Sequence, residues 1–476
     1  MSLKARFEAL LEAAGEATRS ASCALRLRWH MLATVLCPER ATLTNLICTS
    51  GQQQNDWSAH YRLYSHERVD EGALFSRVRR GVEQALPAGH PLVVAIDDTL
   101  VRKCGTHIHG VGWKRDPLGP PFQTNLVRGQ RYVQLSAAWP LAQGEARMVP
   151  IAFHHAPSAP KPPKGAGPAE CRALREAAKQ ATLNAQSLVH MKALREATPA
   201  QRPIVFNGDG SYTNRVVLRG LPAGCTYLGR MRRDAVLHYP PDPLPEGAMG
   251  RRPSYGRTAP TPEALRTDES VPWQKIGAFA AGQHHEFRVK TLGPVLWRKG
   301  GAQRLLRIIV IAPLSYRLRQ GARLLYRQPA YLLCSDPDLP LDKALQYYLW
   351  RWGIEVNFRD EKTLLGTGQA QVRSAASNQH QPAVSVASYA LLWVAALQMH
   401  DSAEKPTTLS RPKWRGPPRH DGTLPSTGEL IRQMRYESWS GALRPSTFHD
   451  FVHPPSRPTS AQKLAPSLPA ALFAAA

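Results

Sequence analysis

Cysteine pairs and long apolar runs are both missing from this sequence, and each absence argues against a class of protein. The seven cysteines are scattered and none belongs to a Cys-x-x-Cys pair. Neither a disulfide framework nor a zinc site is therefore expected, and a reducing compartment fits best. The sequence shows no run of about 18 apolar residues and no secretory pattern. We expect a soluble intracellular protein that does not use a membrane.

Acidic residues are scarce relative to basic ones. The chain has 36 Asp and Glu against 61 Lys and Arg, a formal net charge of +25. Such an excess favours a polyanionic partner, because neutralising phosphates releases their condensed counterions. Nucleic acid is the predicted partner, and a merely basic protein, such as a ribosomal one, is the alternative.

Length and patterning predict three regions in the 476 residues. Residues 1–88 carry apolar residues at helical spacing, which predicts a helical N-terminal domain. Residues 89–400 alternate strand and helix patterns and form the predicted α/β catalytic domain, with a β-rich insertion at residues 228–328. Residues 401–476 are rich in Pro, Arg and Ser, which predicts a loosely ordered tail with one short helix at 428–437.

Acids follow two apolar strands of the middle region. The run 92–96 leads directly into Asp97 and Asp98, and the run 203–206 is followed by Asp209. Sheets of this class place their chemistry at the carboxyl ends of strands. Because side chains alternate across a strand, only one of Asp97 and Asp98 can face such a site. Asp209, in Asn-Gly-Asp-Gly-Ser, also suits an Asx turn.

Four polar residues near residue 350 share one face of a predicted helix. Tyr348, Arg351, Glu355 and Lys362 fall within about 60° of one another, as a stripe roughly 21 Å long. Asp360 and Glu361 point away from that stripe. Such a face is poor core material and suits a surface that holds phosphodiesters while supplying one metal ligand. On spacing alone, an exposed helix whose charges pair along it accounts for the pattern equally well.

The same segment resembles a known family. Its Tyr348, Arg351, Glu355 and Lys362 match the Y-x2-R-x3-E-x6-K signature of DDE-type bacterial insertion-sequence transposases at all four positions. The resemblance covers roughly residues 92–400 and implies an RNase H-like mixed sheet flanked by helices. It also implies a first Asp in a D-x-T context, which favours Asp97 followed by Thr99, with Asp98 as the alternative. The second Asp that it implies is Asp209.

That resemblance implies a catalytic and metal-binding triad of Asp97, Asp209 and Glu355. Three carboxylates brought together repel one another and favour Mg²⁺, for which Mn²⁺ substitutes. Two such ions activate a nucleophile and stabilise the leaving oxygen of an in-line phosphoryl transfer. By resemblance, Arg351 and Lys362 hold terminal phosphates and Tyr348 contacts the backbone.

Other expectations concern partners. The resemblance implies a bacterial cytoplasmic, nucleoid-associated transposase that binds the terminal inverted repeats of its element and a target duplex, and a homodimer that holds two ends. The N-terminal domain is expected to help read those ends. A nuclease that does not join DNA and an inactive domesticated DNA-binding protein are the alternatives.

Weaker signals complete the list of candidate DNA contacts. Arg373, in the sequence Gln-Val-Arg-Ser, also resembles the family. Trp297, in the insertion, is a candidate for stacking on a flipped base, with edge-of-core packing as the alternative. A basic run after the first Asp is a candidate DNA channel or a solvated loop; it comprises Arg102, Lys103, Lys114 and Arg115.

Overall fold

The computed structural model describes residues 2–116, 119–120, 122–243, 251–316, 323–402 and 424–441. Its N-terminal part is helical up to Ala85. These helices are α1 (Leu3–Ala14), α2 (Ala21–Leu36), α3 (Leu43–Thr49), α4 (Trp57–Ser65) and α5 (Glu71–Ala85). Each begins at a Ser, Thr or Asp whose side-chain oxygen accepts a hydrogen bond from a backbone N–H of the first turn. Such caps satisfy donors that the helix itself leaves unpaired.

Strands begin directly after these helices. They are β1 (Leu92–Arg102), β2 (Gly112–Arg115), β3 (Leu126–Pro140), β4 (Ala146–His155), β5 (Ile204–Gly208), β6 (Cys225–Arg230), β7 (Leu237–His238), β8 (Thr258–Ala259), β9 (Gln274–Ala280), β10 (Gln283–Val295), β11 (Leu306–Ile311), β12 (Ser315–Tyr316), β13 (Leu325–Tyr326) and β14 (Ala330–Cys334). The remaining helices are α6 (Pro168–Gln180), α7 (Leu183–Ala197), α8 (Arg215–Gly220), α9 (Pro262–Thr267), α10 (Leu341–Trp350), α11 (Gly353–Thr363), α12 (Ala375–Asp401) and α13 (Thr427–Trp439).

A large mixed sheet organises the described residues. Its order is β2-β3-β1-β5-β6-β14-β11-β10-β9, and β4 pairs with β3 on the same edge as β2, farther along the strand. Strands β1, β5 and β6 are parallel, whereas β3 and β4 run antiparallel to their neighbours. The carboxyl ends of the three parallel strands therefore meet at one edge of the sheet, where open sheets of this kind bind ligands.

The β-rich region after residue 228 is continuous with this sheet. Strand β14 pairs antiparallel with β6, and β11, β10 and β9 follow outward in turn. Their inward faces are apolar, and helix α10 packs on β9. The sheet is thus extended on the side of β6, so the segment between Asp209 and Glu355 adds strands without separating the two residues.

Helix α12 lies at the centre of the packing. It contacts β4 as well as helices α1, α2, α4 and α5, so it is apolar on every side. Against the sequence expectation, it is long and apolar enough to cross a membrane, but 94% of its most apolar window is buried inside the protein. Its composition is explained by its position in the core.

Two segments differ from the sequence expectation. The Ala-rich pattern of residues 168–196 predicts one long helix. The structure has two, because the Thr182 side chain accepts a hydrogen bond from Ala185 N at 3.3 Å and caps α7. In the tail, α13 returns to pack on α1 and α2, and the buried Arg435 guanidinium donates to the carbonyls of Leu36 and Cys37. The rest of the predicted tail, residues 403–423 and 442–476, lies outside the described residues.

Candidate functional site

The two adjacent acids lie inside strand β1 rather than at its end. The sequence predicts that the strand stops at Ile96, but β1 continues to Arg102 because β3 pairs with it along that whole length. The parallel pairing with β5 stops earlier, at Ala95 opposite Asn207. Asp97 and Asp98 therefore sit at the point where the parallel part of the sheet ends.

Alternation along β1 sends the two acids to opposite faces of the sheet. Val93 and Ala95 pack in a cluster with Trp350 and Ile354 of the α10–α11 region, so Asp97 falls on the face that these helices cover. Asp98 faces the other way. It accepts a hydrogen bond from the Tyr212 hydroxyl at 3.1 Å and pairs with the Arg131 guanidinium at 3.3 Å.

Burial and a like charge act together on Asp97. Burial, together with the Asp209 carboxylate, raises the pKa of its carboxyl to about 7, against the lowering effects of the Asp98 N–H and Arg351. Two carboxylates are thus close enough to disfavour double ionisation. A strongly raised carboxyl pKa in a cleft is a feature of functional sites.

Asp209 combines the two interpretations that the sequence left open. Its Oδ1 accepts hydrogen bonds from Ser211 N at 2.8 Å, Ser211 Oγ at 2.7 Å and Tyr212 N at 3.3 Å, which is an Asx turn. The same turn holds the carboxylate just beyond the end of β5, next to β1. The turn therefore fixes the orientation of an acid that faces Asp97.

The predicted single helix around residue 350 is two helices joined by a tight turn. Backbone hydrogen bonds from Ile354 N to Arg351 O and from Glu355 N to Trp352 O, at 3.0 and 3.1 Å, span three residues where an α-helix spans four. Helix α11 begins at Gly353, where an added Cβ would collide with Met148 of β4. The glycine lets the helix that carries Glu355 approach the sheet closely.

Arg351 connects the residues of the predicted stripe. Its Nη1 lies 3.4 Å from Oδ2 of Asp97 and its Nη2 lies 3.0 Å from Oε1 of Glu355. The guanidinium carbon is 5.9 Å from the centre of the Tyr348 ring. Its side chain is only 12% exposed, so the stripe faces the sheet edge and its charges are paired rather than left in solvent.

The neighbouring acids point away from the stripe, as predicted. Glu361 is buried and its Oε1 accepts a hydrogen bond from Gln134 Nε2 at 3.0 Å. Asp360 is also buried, and its Oδ2 accepts from Thr427 Oγ1 of α13 at 2.6 Å. Lys362 is half-buried, and burial lowers the pKa of its ammonium, against the raising effects of Glu361 and Asp98.

The two outlying candidates lie apart from the carboxylates along the chain. Trp297, just after β10, is half-buried against the main core, and an added Cβ at Gly300 would collide with its indole. Arg373 is exposed in the segment between α11 and α12, and its carbonyl accepts a hydrogen bond from His109 N at 3.1 Å.

Sequence reasoning missed Arg131 and Gln134, which hold Asp98 and Glu361. Both lie on β3, and only the register of β3 against β1 shows that they reach these acids. Tyr212 is likewise placed beside Asp98 only by the fold. Burial and the nearby acids raise the pKa of its hydroxyl, so it remains a hydrogen-bond donor to Asp98.

The donor chemistry of the site suits a hard divalent cation. Within the described ranges, no three His, Cys, Asp or Glu side chains come close enough together to hold a metal ion. Arg351 occupies the space between Asp97 and Glu355 instead. Asp97, Asp209 and Glu355 all offer carboxylate oxygens, and the mutual effect of Asp97 and Asp209 is the kind that a cation relieves.

Comparison with known proteins finds a matching family. A family model described as DDE superfamily endonuclease matches residues 11–304, more than half of the chain. The matched range includes Asp97, Asp98 and Asp209, whereas the segment from Tyr348 to Lys362 lies beyond it. A search of curated proteins finds no match. DDE-type endonucleases act on DNA and generally use divalent metal ions. This chain therefore belongs to the DDE superfamily endonucleases.

Proposed function

We propose that this chain is the transposase of a bacterial insertion sequence, which cuts DNA at the ends of its element and joins those ends to a target. The observation that carries the proposal is that Asp97 lies beside Asp209 and is linked to Glu355 through Arg351. Burial and Asp209 raise the pKa of Asp97, and Arg351 pairs with both Asp97 and Glu355. Residues remote in sequence thus meet where the parallel strands end.

The fold supports the same proposal. Strand order β4-β3-β1-β5-β6, with three antiparallel strands followed by two that are parallel to β1, suits an RNase H-like core. In this proposal residues 89–400 form the catalytic domain, residues 228–328 its β-rich insertion, and residues 1–88 a domain that helps to bind element ends. The tail is residues 401–476.

Asp97, Asp209 and Glu355 would hold two Mg²⁺ ions, with Asp98 as the alternative to Asp97. When bound, such ions activate the attacking oxygen and stabilise the leaving oxygen of an in-line phosphoryl transfer. Arg351 is placed to hold a DNA phosphate once it leaves the carboxylates, since a guanidinium forms paired hydrogen bonds with either group. Lys362 and Tyr348 would contact neighbouring phosphates, and Arg373 and Trp297 would contact the DNA farther out.

The proposed partners follow from the reaction. Element ends and target are double-stranded DNA, and the net charge of +25 suits a polyanion of that length. Holding two ends at once calls for a homodimer, and the reaction places the protein on the nucleoid in the bacterial cytoplasm.

The test is a cleavage and joining assay with Mg²⁺, labelled duplexes from the ends of the element that carries this reading frame, and a supercoiled target. Asp97→Asn, Asp209→Asn and Glu355→Gln should each reduce cleavage at least about 100-fold while DNA binding persists. Glu286→Gln is the matched control, because that exposed acid lies on β10, on the far side of the sheet. Unchanged cleavage in the Glu355→Gln variant would refute the assigned triad.

Two outcomes separate this function from its alternatives. Cleaved ends without any joined product would show a nuclease that does not transfer strands. Binding without cleavage in the wild-type protein would show an inactive DNA-binding protein. The variant Asp98→Asn decides between the two adjacent acids, because Asp98 pairs with Arg131 on the opposite face and its loss should reduce cleavage less than the loss of Asp97.

A further inference from the structure

Strands β2 and β3 form a hairpin that extends past the candidate site. We call it the basic hairpin, and it comprises residues 112–115 of β2 and 126–129 of β3 with the adjoining Arg102 of β1. Residues 99–141 contain one acid, Asp116, against six basic residues, which are Arg102, Lys103, Lys114, Arg115, Arg128 and Arg131. The sequence alone left a DNA channel and a solvated loop equally open for this run. In the structure, the basic residues of this run differ in their contacts and exposure.

Two of the basic side chains are committed to the fold. Lys103 Nζ donates to the carbonyl of Ala370 at 2.7 Å, and Lys114 Nζ donates to the Ser158 hydroxyl. Burial lowers the pKa of both ammonium groups. Both lysines are therefore hydrogen-bonded within the protein.

Arg131 pairs with Asp98 and Arg102 pairs with Asp116, which leaves Arg115 and Arg128 beside an exposed indole. Trp113 is 68% exposed, and its ring lies under the Arg128 guanidinium at 5.9 Å, directly across the ladder. Arg115 is exposed on the same strand and, among the described residues, no carboxylate lies within ion-pair distance of it. Leu126, opposite Arg115, is 52% exposed. Cation, indole and alkyl groups thus form one outward patch.

Edge protection alone does not explain this patch. Charged residues on an edge strand such as β2 discourage unwanted pairing between sheets. An exposed tryptophan next to an exposed leucine has the opposite effect, because it adds apolar surface to that edge. Indole rings and arginines together are instead the side chains that contact the sugars, bases and phosphates of nucleic acid.

The ladder places this patch on the same face of the sheet as Asp97. Directly opposed residues share a face, and every second residue of a strand returns to it. Asp97 opposes Gln134 on β3, and Arg128 is six residues earlier on that strand and opposes Trp113. By this parity Asp97, Arg128 and Trp113 lie on one side of the sheet.

The distance from Asp97 to the basic hairpin along the strand can be expressed in base pairs of DNA. Five residues separate Asp97 from Arg102, which lies level with the start of the basic hairpin. At about 3.3 Å per residue this is roughly 17 Å, the length of about five base pairs of duplex. The Trp113–Arg128 pair lies one residue beyond this level and Arg115 lies three residues beyond it. We propose that Trp113, Arg115 and Arg128 form a contact for duplex DNA about six to eight base pairs from the scissile phosphate. This inference rests on the proposed function, which supplies the substrate.

Salt-dependent binding is the first test. The full chain is titrated into a labelled duplex of roughly 40 base pairs taken from an element end, over a range of NaCl concentrations. Arg115→Ala should reduce the slope of log affinity against log salt by about one, and Arg115→Lys should restore it. Trp113→Ala should weaken binding about fivefold at an unchanged slope, because no counterion is released by an indole.

The control and the overturning outcomes are distinct from those of the proposed function. Lys275→Ala removes an equally exposed cation on β9, at the opposite edge of the sheet, and should change neither quantity. If wild-type protein does not bind the duplex, the proposed function fails. If wild-type protein binds and cleaves but the Trp113 and Arg115 variants behave like Lys275→Ala, the inference about the basic hairpin is wrong while the proposed function stands.

Position is tested separately by crosslinking. With p-benzoylphenylalanine in place of Trp113, light-induced crosslinks should map about five to seven base pairs from the cleavage position. Crosslinks spread evenly over the duplex, or none on a duplex that the same protein cleaves, would contradict the proposed contact.

Discussion

The guanidinium of Arg351 lies between Asp97 and Glu355, with Nη1 3.4 Å from Oδ2 of the first acid and Nη2 3.0 Å from Oε1 of the second. The two acids are 258 residues apart in the chain, and one comes from a strand and the other from a helix. A single cation thus holds together the strand and the helix that carry the proposed chemistry.

Removing this cation should affect both stability and activity. In EDTA, Arg351→Ala should lower the free energy of unfolding by about 2 kcal/mol, because the largely buried Asp97 and the partly buried Glu355 lose their shared partner. Cleavage should fall at least about 100-fold, since the same guanidinium is the proposed phosphate contact. Urea unfolding and cleavage kinetics measure the two effects. Arg232→Ala, which removes an exposed arginine paired with Asp234, is the control; equal behaviour of the two variants would rule out the role of Arg351.

Glu361 should make the protein less stable as the pH rises. Burial raises the pKa of its carboxyl to about 8 in the folded state, above its value in the unfolded chain. Its contribution is therefore fully present below the unfolded pKa and is lost as the pH rises toward about 8. Glu361→Gln keeps an acceptor for Gln134 and should be more stable than the wild type at pH 8, by on the order of 1–3 kcal/mol.

The same variant tests the orientation of α11. Because Glu361 points into the core and Glu355 toward Asp97, Glu361→Gln should retain cleavage where Glu355→Gln loses it. A loss of cleavage in Glu361→Gln at unchanged stability would show that the wrong carboxylate has been assigned to the site.

His30 should produce a pH dependence of opposite sign. Its imidazole is buried, with His60 at 2.8 Å and Tyr64 at 2.9 Å, and burial lowers its pKa to about 3. The unfolded chain therefore binds more protons between about pH 6.5 and 3, so stability is lost as the pH falls through that window. Urea unfolding at several pH values should show a shallower acid loss for His30→Gln than for the wild type. An identical slope would mean that His30 is protonated in the folded protein.

Gly353 should matter for activity more than for DNA binding. A Cβ at this position collides with Met148, so Gly353→Ala should push α11 away from β4 and misplace Glu355. We expect cleavage to fall by about tenfold or more, with little change in affinity, because small displacements of a catalytic group are costly. The double variant with Met148→Ala should recover part of the activity. No recovery would show that the glycine has another role.

Sequence patterns predicted the local chemistry well where one element decided it. The Asx turn at Asp209 follows from Asn-Gly-Asp-Gly-Ser. Helical spacing correctly predicted that Asp360 and Glu361 point away from the stripe. The break at Arg351 and Trp352 was missed, because these residues are acceptable within a helix and the turn there depends on how closely Gly353 meets β4. The length of β1 was underestimated for a similar reason, since its extension depends on pairing with β3.

By itself the sequence determined the polyanionic partner, the spacing of Tyr348, Arg351, Glu355 and Lys362, and the presence of acids after two apolar strands. These are properties of composition and of single elements, which local periodicity encodes. Only the tertiary structure decided which of Asp97 and Asp98 faces the α10–α11 region and which pairs with Arg131. That choice depends on the pairing of strands that are distant in the chain, and so does the direction of Trp113 and Arg115. A shift of one residue in register would reverse both.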